Sequence, residues 1–262
     1  MRFGVSCDLH SAPALQKAGY DYMESNAQVL AQMSETEFSE VRALLEKTGL
    51  ACEAINCLFH GENHRLVGES LNLDTLQTHL EGIFDRAVSL GCKIAVVGSG
   101  AARRIPDGYP VDKAFAEFSQ VLAIAGDIAG ERGITMALEP LCRNETNLIN
   151  TVAEGLALVK KLNHPHVALL ADFYHMAENG EDCEGMIAAE KLLIHTHIAA
   201  PGSRDFPSPA QNPEAYAPFF TALAQNGCVG RLSAEANNLV GDFEKNIAET
   251  LELMKSFLGE HL

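Results

Sequence analysis

A closed (β/α)8 barrel is the fold this sequence predicts, and three observations predict it. Eight short strand-like runs can be read in order along the chain. Segments with helical periodicity lie between them, which makes successive strands parallel. The 262 residues suit one barrel of about 250 residues, and no low-complexity linker sets off a second domain. Residues 1–262 therefore read as a single barrel domain. Its active site is expected at the carboxyl ends of the strands, where barrels carry their functional loops.

The elements follow in chain order. Arg2–Ser6 and Tyr20–Ser25 are the first two apolar runs. "SETEFSEVRALLEKTG" then opens a helix with Ser34 and Glu37 at capping-box spacing and closes it on Gly49. Leu50–Cys57 is the third strand, and "LDTLQTHLEGIFDRAVSLG" repeats apolar residues three and four apart, as a helix must to bury one face. Lys93–Gly98, Ile134–Glu139 and Val167–Asp172 are the next strands, with the helical "TVAEGLALVKKLN" between the last two. Leu192–Ile198 and Arg231–Glu235 complete the eight. The longest stretches without periodicity, "GSGAARRIPDGYP" and "AAPGSRDFPSPAQNP", both follow strands, which puts them on the carboxyl face.

Composition limits the function. Residues are 47% hydrophobic and 21% charged, and no apolar run is long enough to span a membrane. A net charge of −16 repels phosphate backbones, so a small molecule is expected as partner, with neither nucleic acid nor membrane. The first residues, "MRFGVSCDLH", show no secretory pattern, and the seven cysteines lack CxxC spacing. A cytoplasmic location with reduced thiols is the expectation. Monomer and homo-oligomer both stay open.

The chemistry gathers at the ends of the late strands. "ITMALE" ends on Glu139, "VALLAD" on Asp172, "LLIHTH" on His197 and "RLSAE" on Glu235. Parallel barrel strands bring those ends together, so three carboxylates and an imidazole converge. Three negative charges share a dry site only around a cation. The oxygen-rich set suits Mn²⁺ first, with Mg²⁺ and Co²⁺ as alternatives and Zn²⁺ still compatible. Any one strand-end acid is more often a helix cap or an ion-pair partner; the four together carry the expectation.

Residues around the four are read with less force. His195 points inward one layer deeper and is expected to be a hydrogen-bonded core residue. Glu24 is read as a cap or rim acid, and His10, His60 and His64 as solvated. His175 and Arg204 are placed to put positive donors over a substrate oxygen. Glu145 and Arg143 are expected to orient His175, and Arg103 or Arg104 in "GSGAARR" to hold a hydroxyl or phosphate.

"LEPLCRNETNLINT", "LLADFYHM", "HTHIAAPGSR" and the glutamate of "LSAEANN" resemble the sugar isomerase and epimerase family on the xylose-isomerase-like TIM barrel, above all its ketose 3-epimerases and hydroxypyruvate isomerases. The resemblance implies that Glu139, Asp172, His197 and Glu235 hold the divalent ion. It implies that Glu139 and Glu235 exchange the proton through an enediolate, as catalytic acid and base. It assigns His175, Arg204 and Glu145 to substrate binding. The pattern has its arginine one position closer to the metal histidine than Arg204, which lies seven residues on. An isomerase acting on a ketose or related hydroxy-carbonyl compound is expected. The alternatives are a metal-dependent dehydratase of a keto-sugar or keto-cyclitol, an abasic-site endonuclease, and a sugar-binding protein without catalysis.

Overall fold

The computed structural model describes residues 1–61, 63–210, 212–227, 230–238 and 241–261. Its strands pair in parallel and in chain order: β1 (Arg2–Ser6), β2 (Tyr22–Asn26), β3 (Cys52–Asn56), β4 (Ile94–Val97), β5 (Thr135–Leu138), β6 (Val167–Asp172), β7 (Leu193–Ile198) and β8 (Arg231–Ala234). Strand β8 pairs back onto β1, which closes the (β/α)8 barrel the sequence predicts. Closure leaves no free sheet edge.

Helices wrap the outside. Helix α1 (Ala12–Ala18) joins β1 to β2, and α2 (Ala27–Gln32) and α3 (Glu35–Thr48) join β2 to β3. Next come α4 (Leu73–Ser89) before β4, α5 (Gly100–Arg103) and α6 (Val111–Gly130) before β5, and α7 (Val152–Leu162) before β6. Helices α8 (Phe173–Asn179) and α9 (Glu184–Ala189) precede β7, α10 (Ala217–Asn226) precedes β8, and α11 (Phe243–His261) follows it. The capping box forms: Ser34 Oγ accepts the Glu37 N–H while Glu37 accepts the Ser34 N–H. Gly49 ends α3 in the left-handed conformation, φ 72°, that favours glycine.

Two apolar cores result. A small one fills the barrel with Ala54, Ile94, Val96, Ala137 and Leu170, and a larger one lies between the strands and the helices. Strand side chains alternate with period two. Ala137 and Leu170 inside the barrel thus place Glu139 and Asp172 on the same inner side, two residues nearer its mouth.

Strand limits differ from the expected ones by one or two residues, for visible reasons. Tyr20, expected in the second strand, belongs to the closing turn of α1, where its N–H donates to Leu15 O. Glu139 and Glu235 lie one residue past β5 and β8, yet their N–H groups still donate to Val97 O and Ile198 O of neighbouring strands. Both glutamates are therefore held by sheet-like bonds rather than carried on free loops. Six described cysteines have free thiols, and Cys228 lies outside the described residues. No described helix is long and apolar enough to cross a membrane.

Candidate metal centre

The four strand-end residues do converge. Glu139, Asp172, His197 and Glu235 each offer one ligand atom, and the four atoms lie within 4.8 Å of one another. Asp172 and His197 stand abreast in the β6–β7 register. His197 Nδ1 lies 3.2 Å from Glu139 Oε1 and 3.6 Å from Glu235 Oε2. Solvent barely reaches the floor of this site: Glu139 is 4% exposed, Asp172 1% and His197 0%. Above it opens a cavity of about 410 Å³, reached by Glu235, Arg204, Ser6, Asn56 and Asp8.

Asp172 serves two purposes with its two oxygens. Oδ1 caps α8 by accepting the Tyr174 N–H at 2.8 Å, the ordinary reason for an acid before a helix. Oδ2 is buried and has no hydrogen-bond partner. A buried anionic oxygen without a donor is costly, and burial together with Glu139 pushes the Asp172 carboxyl up to about 8. Burial raises Glu139 too. Two carboxyls that resist ionisation beside an unpartnered oxygen fit a divalent cation, and the oxygen-rich set fits a hard one. His197 opposes them. Burial lowers its pKa, but Glu24 and Glu235 outweigh burial and hold it well above the usual imidazole range.

Glu24, read from the sequence as a cap or rim acid, is instead completely buried beneath the site. Its Oε1 accepts from His197 Nε2 at 3.0 Å, and its Oε2 accepts from His195 Nε2 at 2.9 Å. That bond leaves His197 Nδ1 free to face the carboxylates and fixes the ring's orientation, as an outer carboxylate does for a metal-binding histidine. Burial alone would raise Glu24, but the two imidazoles more than offset it, and its pKa falls below the usual carboxylate range. His195 is the hydrogen-bonded core residue expected. Exchange of Glu24 for glutamine keeps the shape and removes the charge, so Mn²⁺ affinity should fall by about 10- to 100-fold. Calorimetric titration of Glu24→Gln measures it, and an unchanged affinity would contradict the role.

His175 and Arg204 both reach the site. His175 Nδ1 accepts the Cys142 N–H at 3.2 Å, which puts the ring proton on Nε2, 3.6 Å from Asp172 Oδ2. Burial and then Arg204 push the ring down to about 3, so His175 is a neutral donor and not the positive one expected. Arg204 donates through Nη1 to Glu145 and through Nη2 to Glu235 Oε2, both at 2.8 Å, and lies 5.0 Å over the Tyr174 ring. It does so from a strained φ of 53°. Glu145 thus orients Arg204 rather than His175, and the Arg143 backbone N–H is bound to Asn179.

In the "GSGAARR" turn Arg103, expected to hold a hydroxyl or phosphate, is turned to another use. Arg103 is fully buried, donates to the carbonyls of Val97, Glu139 and Ile149, and so braces the backbone that carries Glu139. Arg104 donates to Asn144 O on the surface. The glycine that matters is Gly98, since a Cβ there would collide with Glu139 Oε2. Gly98→Ala should leave the fold intact, as judged by circular dichroism, but displace that carboxylate. A catalytic group moved by about 1 Å costs about 100-fold in turnover. His10 and His60 are exposed as expected, whereas His64 is half-buried and stacks on His79 at 3.9 Å.

Comparison with known proteins agrees with the barrel fold. The sequence profile described as xylose isomerase-like TIM barrel matches residues 12–257. The D-psicose 3-epimerase of Agrobacterium fabrum (strain C58) is 28% identical over 195 residues, 72% of this chain and 66% of its own length. The L-ribulose 3-epimerase of Methylomonas sp. (strain DH-1) is 35% identical over 119 residues, 42% of this chain and 38% of its own length. The chain thus aligns with less than two thirds of either relative. The crystal structure of the 3-keto-D-glucoside 4-epimerase from E. coli superposes with a TM-score of 0.81 at 22% identity, covering 98% of this chain and 99% of that one.

Proposed function

The chain belongs to the xylose isomerase-like TIM barrel family, and from that premise we propose that it is a divalent-metal-dependent epimerase of a ketose or related hydroxy-carbonyl sugar. Glu139, Asp172, His197 and Glu235 are the ion ligands, and Glu139 and Glu235 are the proton-exchanging pair. One observation carries this reading: the two glutamates approach His197 Nδ1 from strands β5 and β8, with β6 and β7 between them. Inverting a carbon through an enediolate needs a base on one side and an acid on the other, and two carboxylates so separated can supply them.

When bound, a divalent ion, Mn²⁺ by preference, would polarise the substrate's carbonyl and neighbouring hydroxyl oxygens and acidify the hydrogen on the hydroxyl-bearing carbon next to the carbonyl. The protein's own groups do the rest. One glutamate removes the proton and the other returns one to the opposite face. His175 Nε2–H and the Arg204 guanidinium donate to the oxygen at C2, where charge develops. The buried floor limits water, which strengthens those interactions. The epimerase names of the relatives support inversion over loss of water.

The test is incubation of the Mn²⁺-loaded protein in D₂O with D-fructose, D-psicose and hydroxypyruvate, beside a chelated control. Deuterium should enter only at a carbon next to the carbonyl, only with the ion present, and without other mass change. Loss of water mass would overturn epimerisation in favour of the dehydratase. Exchange that survives chelation would overturn metal dependence.

A further inference from the structure

At the end of β3 lies Asn56, 3% exposed and lining the cavity at the mouth of the barrel. Both hydrogens of its amide are committed. Nδ2 donates to Ser6 Oγ at 2.8 Å and to Glu235 Oε1 at 2.6 Å. Turning the amide over would set its carbonyl oxygen against a carboxylate, acceptor against acceptor, so the orientation is fixed by chemistry. The remaining atom, Oδ1, is buried with no partner. A side chain present for packing alone would carry no such orphan acceptor.

Glu235 is gripped from both sides as a result. Oε1 takes the Asn56 hydrogen bond; Oε2 takes Arg204 at 2.8 Å and faces His197 Nδ1 at 3.6 Å. Strand β1 supports Asn56 through Ser6, so the orientation of a carboxylate beyond β8 depends on a contact that spans β1, β3 and β8. We infer that Asn56 is a positioning residue for Glu235: it fixes the plane of that carboxylate and dedicates Oε1 to proton transfer on the Glu235 face, while Oε2 serves the ion side. The inference rests on the two-base reading above. No comparable amide is found among the described partners of Glu139 Oε1, so the effect is confined to one face of the substrate.

That asymmetry is the test. Wild type, Asn56→Ala, Asn56→Leu and Ser6→Ala, all loaded with Mn²⁺, are compared in D₂O on each member of the C3-epimeric pair D-fructose and D-psicose. In the Asn56 variants kcat for epimerisation should fall about 100-fold with KM within about threefold, as for a misplaced catalytic group. Ser6→Ala should fall in the same direction by about tenfold. Deuterium wash-in should be lost from the epimer whose proton faces Glu235 and retained in the epimer whose proton faces Glu139. Calorimetric Mn²⁺ affinity and thermal midpoints should stay close to wild type. Equal loss of exchange from both epimers, or Mn²⁺ affinity falling in step with kcat, would overturn the inference and leave Asn56 a structural support of the ion site. Wild-type turnover in both Asn56 variants would overturn it as well. A wild type that exchanges neither sugar nor hydroxypyruvate would instead overturn the functional reading on which it depends.

Discussion

Glu139→Gln and Glu235→Gln should each lower kcat by at least about 1000-fold while the barrel stays folded. A positioned acid or base contributes about 10²–10⁴ to rate, and each glutamate is also a proposed ion ligand, so its loss removes two effects at once. Glutamine is nearly isosteric. Arg103 still holds the Glu139 carbonyl, and the Glu235 N–H still donates to Ile198 O, so neither backbone position depends on the side-chain charge. Glu139→Gln removes a charge that burial already disfavours, so the ion-free variant should be no less stable than wild type. Burial also raises Glu235, but His197 and Arg204 outweigh it and hold that carboxyl low, so Glu235→Gln should be somewhat less stable while still folded. Turnover is measured on the sugar that wild type epimerises, with circular dichroism and a thermal melt as fold controls. If Glu235→Gln keeps more than about a tenth of wild-type kcat, the two-base scheme is wrong.

The barrel was legible because its signal is repeated. Eight apolar runs of strand length, separated by helix-length periodic segments, specify a parallel closed sheet even though individual ends shift by a residue or two. The four ligand candidates were legible for the same reason, since each is the last inward-facing side chain of a strand. Glu24 carries that signal in the expected strand Tyr20–Ser25, but β2 runs on to Asn26, which pairs with Asn56 at the mouth and leaves Glu24 one inward-facing position deeper, beside Ala54. Arg103 was misread because a buried arginine satisfied by three backbone carbonyls looks in sequence like any loop arginine. Arg204, one position farther from His197 than the family pattern, still reaches Glu235, and its positive φ belongs to the loop that brings it there. Asn56 gave no sequence signal, for an asparagine at a strand end is ordinarily a turn residue.

Stripping the ion should abolish activity, and the stability the ion confers should grow with pH. In the folded, ion-free protein Asp172 holds its proton up to about 8, whereas an unfolded aspartate loses it near the ordinary carboxylate value of 3.8. Between those values the folded state binds the extra proton, so this group makes stability fall as pH rises through the window. His197 acts in the same direction. Its folded pKa lies well above the ordinary imidazole value of 6.5, so its contribution is full below 6.5 and is lost as pH rises through the folded value. An ion ligated by Asp172 and His197 takes the place of both protons, so its binding releases them and strengthens with pH. Mn²⁺ affinity should therefore rise by about one to two decades per pH unit from pH 6 to 8, one decade for each proton released. The thermal midpoint of the ion-free protein should decline over that range. At fixed free Mn²⁺ the increment in midpoint should widen, following the logarithm of ion concentration over Kd. Scanning calorimetry at pH 6, 7 and 8, with and without Mn²⁺, decides it. An increment that does not change with pH would mean that no proton leaves the site when the ion enters, and that Asp172 Oδ2 and His197 Nδ1 are not its ligands.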